Sequence, residues 1–362
     1  MLARDALMPS RRPPCSVAFA GACAAMALSF GSSPVAQTKP PGDRFTVTLA
    51  GAIGKTAAYA ALTIDGEQVS GTYAYAHVNQ PLTLAGRRAS GGRVTLDEKD
   101  GSGRTTGHFA GDLRAFKQGD EVRRAFVGVW AKPDGSGSTP FALYEQIGED
   151  NGVRLTVRPL AAGARARQVE AVVPALVAPA GIRIDPFNEA AAKLVGERVA
   201  AFIGAHTTTD PKRESFSSSV AVQVMAHGLV SVRFVFWEYE GGAHGNYGFH
   251  GLTYDIHTGR VLTLGDLFTP GSGYLEGIAA YSEKDLLEQL GAPDKDWVKK
   301  GTAPNPDVYE SLWTLTDQGL QITFDPYLVA PYATGAPEVV IDFAELKKWA
   351  RPDGPLSRFA RK

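Results

Sequence analysis

The sequence predicts an α+β protein: an N-terminal all-β antiparallel meander over residues 44–147, then an α+β domain over residues 165–351 with an antiparallel sheet and packed helices. Three observations carry this. Short runs of alternating apolar residues, separated by glycine turns, fill the first region, and no 3.6-residue period occurs there. The second region carries both periods. Forty glycines in 362 residues favour turn-rich β structure over long helices, and an apolar fraction of 44% is enough for two cores.

In the first region Phe45, Val47 and Leu49 alternate with threonines, the period of a half-buried strand. Further strands are expected at Ala61–Ile64, Val69–Tyr75, Leu82–Leu84, Val94–Glu98, Thr106–Ala110, Ala125–Trp130 and Pro140–Tyr144. Asp65-Gly66, Gly91-Gly92, Asp100-Gly101 and Asp134-Gly135 supply the turns between them. This spacing argues for a curled sheet or a small barrel. A polar stretch from Gly148 to about Arg167 connects the two regions.

Asp185-Pro186 opens a helix, with an N-cap oxygen and a proline at the first helical position. Phe187, Ala191, Val195, Val199 and Phe202 fall on one face of it. Strands Ser219–Met225 and Leu229–Tyr239 follow as a hairpin through Ala226-His227-Gly228, with Ser217-Ser218-Ser219 as ordinary turn residues at its start. Both faces of the second strand are partly apolar, which predicts cover on each side. His250–Ile256 and Val261–Thr263 pair through His257-Thr258-Gly259, and a helix spans Gly273 to Leu290 with Gly291 as its stop. Leu320, Ile322 and Phe324 mark a strand. Asp342 with Glu345 forms a capping box for a short final helix that Trp349 closes on the core, and Pro352 ends it, leaving a tail over 352–362.

The N-terminus reads as an export signal over residues 1–36. Arg4, Arg11 and Arg12 precede an apolar run from Cys15 to Phe30, and small residues lead to Ala36. The run is shorter than the ~20 residues of a bilayer-spanning helix, and no later segment is long and apolar enough, so no integral membrane segment is expected after cleavage. Lipid attachment at Cys23 is the alternative processing. Cys15 and Cys23 both lie in this segment, so the mature chain has no thiol for a disulfide or a nucleophile. Without residues 1–36 the chain carries 34 basic against 37 acidic residues, which gives no electrostatic footprint for nucleic acid.

Among chemistry-bearing residues, His244 stands out in the glycine-rich turn Gly241-Gly242-Ala243-His244-Gly245, with Glu238 beside it and His250, Asp255 and His257 one hairpin away. Three roles are open to it: hydrogen-bonding its own turn, touching a ligand, or acting as a metal ligand or general base. A zinc site needs three or four converging ligands, and no HxH or HExxH spacing is present, so no metal is expected. There is no Gly-x-Ser-x-Gly elbow, phosphate loop or dinucleotide fingerprint, so neither catalytic residues nor a cofactor is expected. Tyr327-Leu328-Val329-Ala330-Pro331-Tyr332 reads as a loop fixed by Pro326 and Pro331. Its tyrosines either pack on the final helix and Trp349 or present flat amphipathic surface for a sugar or a protein.

Gly241–Gly245, Thr258-Gly259-Arg260-Val261-Leu262, Asp266-Leu267-Phe268 and the stretch from Phe324 to Gly335 together resemble the extracytoplasmic domain shared by the anti-sigma factor RsiV and the peptidoglycan deacetylase PdaC. The resemblance covers roughly Val169 to Ala350 and is most specific over 238–335. Val173-Pro174 and Phe187-Asn188 stand where that family has a proline-containing strand and an Asn-bearing helix. It implies an exported module better suited to binding than to catalysis. Thr323-Phe324-Asp325-Pro326 echoes the opening motif of the deacetylase domain, but Pro326 replaces the second carboxylate, so deacetylation is not expected. The resulting expectation is a periplasmic or secreted binding module for peptidoglycan or a lysozyme-like envelope protein. Glu238, Gly241, Gly242, His244, Tyr327 and Tyr332 would form its ligand-binding residues. The alternative is a cell-wall hydrolase acting through the His244 region.

Overall fold

The computed structural model describes residues 44–76, 80–160, 168–205, 214–291 and 294–359; the predicted export segment and both cysteines lie outside them. Strands Arg44–Ile53 (β1), Thr56–Asp65 (β2), Gln68–Tyr75 (β3), Leu82–Arg88 (β4), Arg93–Lys99 (β5), Thr105–Gln118 (β6), Glu121–Ala131 (β7) and Thr139–Asp150 (β8) form the antiparallel meander. It closes, because β1 also pairs with β8 through Leu49↔Glu145 to Ile53↔Phe141. Closure satisfies the free edges that an open sheet would leave. The period-2 pattern turns Val47, Leu49, Leu62, Leu84, Leu96, Phe109, Phe126 and Phe141 inward, so the barrel interior is a packed core.

The same sheet runs on past residue 147. Beyond an irregularity at Gln146/Gly148, β8 pairs with Val153–Pro159 (β9), and β9 pairs with Val172–Val177 (β11) after the short strand Gln168–Glu170 (β10). Pro174 sits in β11, the last strand of this sheet, where a missing N–H is tolerated.

Helix α1, Asp185–Ala205, buries Phe187, Ala191, Val195, Val199 and Phe202, the face predicted from the 3.6 period. Asn188 lies in the first turn of this helix. Its side chain accepts from Leu176 N (2.7 Å) and donates to Leu176 O (3.1 Å), pinning α1 to β11. The helix covers Ser215–Ala226 (β12), Leu229–Tyr239 (β13) and Asn246–Asp255 (β14), with Val230, Val232, Phe234 and Tyr254 fully buried beneath it. Arg260–Leu262 (β15) pairs with the end of β14.

Four sequence expectations need correction. The second region holds two sheets among its described residues. The first has order β10-β12-β13-β14-β15 and includes a parallel pairing of β10 with β12. The second consists of Trp313–Leu315 (β16), Gly319–Thr323 (β17) and Glu338–Asp342 (β18). Strands therefore dominate, and α+β describes the chain only in part. Ser217–Ser219 are not turn residues: they lie in β12, and the buried Ser218 hydroxyl accepts from Val172 N (2.9 Å) and donates to Val172 O (3.2 Å), joining two sheets. Two helices went unread beside Tyr274–Gln289 (α2). Lys295–Gly301 (α3) and Pro306–Leu312 (α4) are seven residues each, too short for a hydrophobic period to show. The expected capping box at residue 342 is half present: Asp342 accepts from Glu345 N (2.7 Å) above the four-residue helix Phe343–Leu346 (α5).

The second sheet supplies the predicted cover on the far face of β13. Ser231 and Thr253 hydroxyls meet at 2.8 Å, and Ser231 Oγ accepts from Leu315 N at 2.9 Å, so buried hydroxyls join the layers. Gly251 is required at this crossing, since a Cβ there would stand 1.8 Å from Trp313 O. Beyond it, α2, α3 and α4 close the second core around Trp313, Tyr309, Phe324 and Phe268.

Candidate functional site

The site lies where the turn between β13 and β14 meets the loop between β17 and β18. The register pairs Glu238 with Asn246, leaving residues 239–245 to make the turn. Gly241 has φ 84°, a conformation open to glycine, and Tyr239 Oη donates to Gly242 O at 2.9 Å to close the loop. Gly245 is required by a neighbour: a Cβ there would stand 2.4 Å from the Trp237 indole, which stacks in turn on Tyr239 with centroids 6.2 Å apart.

The opposing loop is braced by short-range hydrogen bonds. Tyr327 N donates to Ala330 O (3.1 Å), Leu328 N to Asp325 O (3.1 Å) and Thr334 N to Pro331 O (2.9 Å). Trp297 of α3 donates its indole N–H to Tyr327 O at 3.1 Å. Tyr327 itself adopts φ 68°, a left-handed conformation rare for a bulky side chain and found where surrounding structure over-determines it.

Between the two loops the rings form a shelf. His244 stacks on Tyr332 with centroids 4.4 Å apart and a 29° tilt, and Tyr327 follows 5.7 Å beyond Tyr332. Tyr247 of β14 meets Tyr332 edge-on at 5.7 Å. Tyr332 Oη donates to Gly245 O at 2.9 Å, and His244 Nδ1 lies 2.8 Å from the same oxygen, so the turn carbonyl anchors both rings. Tyr327 is 51% exposed, whereas Trp349 packs over Gly277 of α2. The tyrosines therefore do not pack on Trp349; the glycine turn and α3 hold them instead.

His244, Tyr327 and Tyr332 thus come together, and Gly241 and Gly242 lie in the turn that carries His244. Glu238 does not join the rings. Its neighbours Trp237 and Tyr239 point to the shelf side, and strand alternation turns Glu238 toward α1. There it lines a cleft of about 250 Å³ with Arg198, Asn246, Tyr247 and Asp325. Sequence reasoning passed over Arg198, Tyr247, Trp297 and Asp325 as site residues. The only signal for Asp325 was its place in the Thr-Phe-Asp-Pro run.

Asp325 Oδ1 accepts from Phe249 N at 2.7 Å. Burial pushes its carboxyl above the usual carboxylate range, and the Phe249 hydrogen bond and the Arg198 charge only partly offset this. Burial, aided by Arg198, also lowers the nearby His250 imidazole to about 4. A histidine depressed on folding leaves the unfolded chain binding more protons between about pH 6.5 and 4, so its contribution to stability falls as pH drops through that window. The melting temperature of the wild type is expected to drop further than that of His250→Leu between pH 7.5 and 4.5; equal drops contradict the assignment.

No group of three or more His, Cys, Asp or Glu stands in metal-holding geometry among the described residues, and no described helix is long and apolar enough to cross a membrane. His244 has its Nδ1 on its own turn and one ring face on Tyr332, while Glu238 belongs to the cleft.

Residues 265–344, which include the Tyr327–Tyr332 loop, match the family model described as "Protein of unknown function (DUF3298)". The C-terminal region carries a DUF3298 domain. The chain is also 28% identical over 144 residues to "Peptidoglycan-N-acetylmuramic acid deacetylase PdaC" of Bacillus subtilis (strain 168). That match covers 39% of this chain and 30% of PdaC, so the chain spans about a third of the relative's length. What is shared with PdaC is the DUF3298 region and not its deacetylase catalytic domain. Two solved structures are similar. One is a DUF3298 family protein from Pseudomonas aeruginosa PAO1, with TM-score 0.41 and 24% identity over 55% of this chain and 95% of that one. The other is a DUF3298 family member from Bacteroides fragilis NCTC 9343, with TM-score 0.42 and 16% identity over 59% of this chain and 100% of that one. In this chain the turn bearing His244 lies ahead of the matched DUF3298 stretch, and the folded shelf joins the two.

Proposed function

We infer that this protein is an exported, non-catalytic binding module that recognises a component of the bacterial cell wall through the ring shelf. The observation that carries the reading is the half-exposed Tyr327, held in a left-handed conformation at the end of a row formed with His244 and Tyr332. Amphipathic rings left at the surface on a rigid support are suited to recognition. The similarity to PdaC, whose name gives peptidoglycan as its substrate, supports the wall as the target. The basic and apolar N-terminal segment supports a periplasmic or secreted location. We place the cell-wall hydrolase reading second, because His244 stacks on Tyr332 while Glu238 lines the adjoining cleft.

Purified peptidoglycan sacculi are expected to sediment the protein saturably, Tyr327→Ala and Tyr332→Ala to reduce the bound fraction, and no soluble sugar, peptide or acetate to accumulate. Failure to sediment, or product formation that His244→Ala abolishes, would overturn the reading.

A further inference from the structure

We propose that the shelf and the adjoining cleft form one site for the glycan strand of the wall, a chain of N-acylated amino sugars. The sugar faces lie across Tyr327 and Tyr332, and their acetamido and hydroxyl groups turn toward Asp325, Asn246 and Arg198. This rests on the wall-binding reading and names which part of the wall is read.

Three observations carry it. Tyr247 belongs to both halves: its ring meets Tyr332 edge-on and the residue is also part of the cleft lining beside Asn246 and Asp325, so the shelf and the cleft adjoin at this residue. A pyranose presents the same two characters, apolar C–H faces and a rim of hydroxyl and amide groups, and needs rings beside fixed donors and acceptors. The second observation is size. A cleft of about 250 Å³ is smaller than the ~300–1,000 Å³ pockets that enclose a whole small ligand, so it suits substituents of a chain lying along the surface.

The third is charge. The cleft mixes a guanidinium, an amide and two carboxylates, and Asp325 is already committed at one oxygen to Phe249 N. A surface of mixed sign with partly engaged groups matches neutral hydroxyl and acetamido groups. A stem peptide, with its free carboxylate and amine, would favour separate patches of single sign. The support is also rigid: Asp325 and Tyr327 share one braced loop, and Asn246 and Tyr247 share one strand, so the two halves keep a fixed spacing.

The test is calorimetric titration of the full chain with the β-1,4-linked N-acetylglucosamine tetramer and, separately, with a synthetic stem pentapeptide. Tyr327→Ala and Asp325→Asn are titrated alongside; asparagine keeps an acceptor for Phe249 N, and melting curves check that both variants fold. The tetramer is expected to bind wild type saturably, Tyr327→Ala to weaken it about tenfold, Asp325→Asn about fivefold, and the peptide to give no heat. If the peptide binds and the tetramer does not, while sacculi still sediment the protein, the glycan assignment falls and wall binding stands. If sacculi also fail, both fall. Binding of lysozyme in place of tetramer and sacculi overturns the assignment in favour of a protein partner.

Discussion

Arg358→Met is expected to cost about 3–5 kcal/mol at neutral pH, because it leaves a buried charge without its partner. Asp255 ends β14 at 1% exposure, and Arg358 meets it through two parallel hydrogen bonds of 2.9 and 2.7 Å. His257 N adds a third at 3.0 Å. Burial alone would push the Asp255 carboxyl up. The hydrogen bonds and charge of Arg358 outweigh that, and the carboxyl is held below its ordinary value. A carboxyl depressed on folding contributes stability that is present above its unfolded value, about 3.9, and lost as pH falls through the folded value. In the variant Asp255 protonates more easily, so the gap between wild type and Arg358→Met narrows toward pH 4. Urea unfolding at pH 7 and pH 4 reads both effects. A difference below about 1 kcal/mol at pH 7 would mean that the pair behaves as a surface ion pair.

The second large effect lies in the barrel. Glu98 is 3% exposed, and its carboxylate accepts from Tyr73 Oη (2.5 Å), Trp130 Nε1 (2.8 Å) and Thr106 Oγ1 (2.6 Å). Tyr73 lies well above the ordinary phenol range, first through burial and then through Glu98. Glu98→Ala removes one acceptor from three donors, two of them on large inward-facing rings, and is expected to cost about 3 kcal/mol. Glu98→Gln keeps one acceptor oxygen and is expected to cost less. Denaturant titration followed by tryptophan emission reports it, since Trp130 changes partner. If the two variants lose the same amount, the contribution is charge rather than hydrogen bonding.

The fold was legible wherever side chains reported a period. The barrel strands announced themselves through alternation and glycine turns, α1 through Phe187, Ala191, Val195, Val199 and Phe202, and α2 through the positive-φ Gly291 after its end. The spacing left a curled sheet and a small barrel both open, because the β1–β8 pairing that closes the barrel joins residues roughly ninety apart and leaves no local mark. The second sheet was hidden for a related reason. Trp313–Leu315 is three residues long, and its contact with β14 shows in the sequence only as Gly251.

The neighbourhood of the candidate site was legible in part. A histidine in a glycine turn, and tyrosines beside prolines in another segment, pointed to three rings that the fold brings together. That Glu238 faces away from them follows from strand alternation once the β13–β14 register is known. Arg198 could not be read at all, because a charged residue on a helix looks like a solvated one until the strand beneath it is known. Its guanidinium stands 5.3 Å from the Phe236 ring.

The most direct measurement is amide hydrogen exchange of the full chain with and without sedimented peptidoglycan. Binding at the shelf predicts added protection confined to residues 239–249 and 325–335, with the barrel strands unchanged. Protection centred on the exposed Val127 and Val129 face of β7, or no change in either loop at saturation, would contradict it.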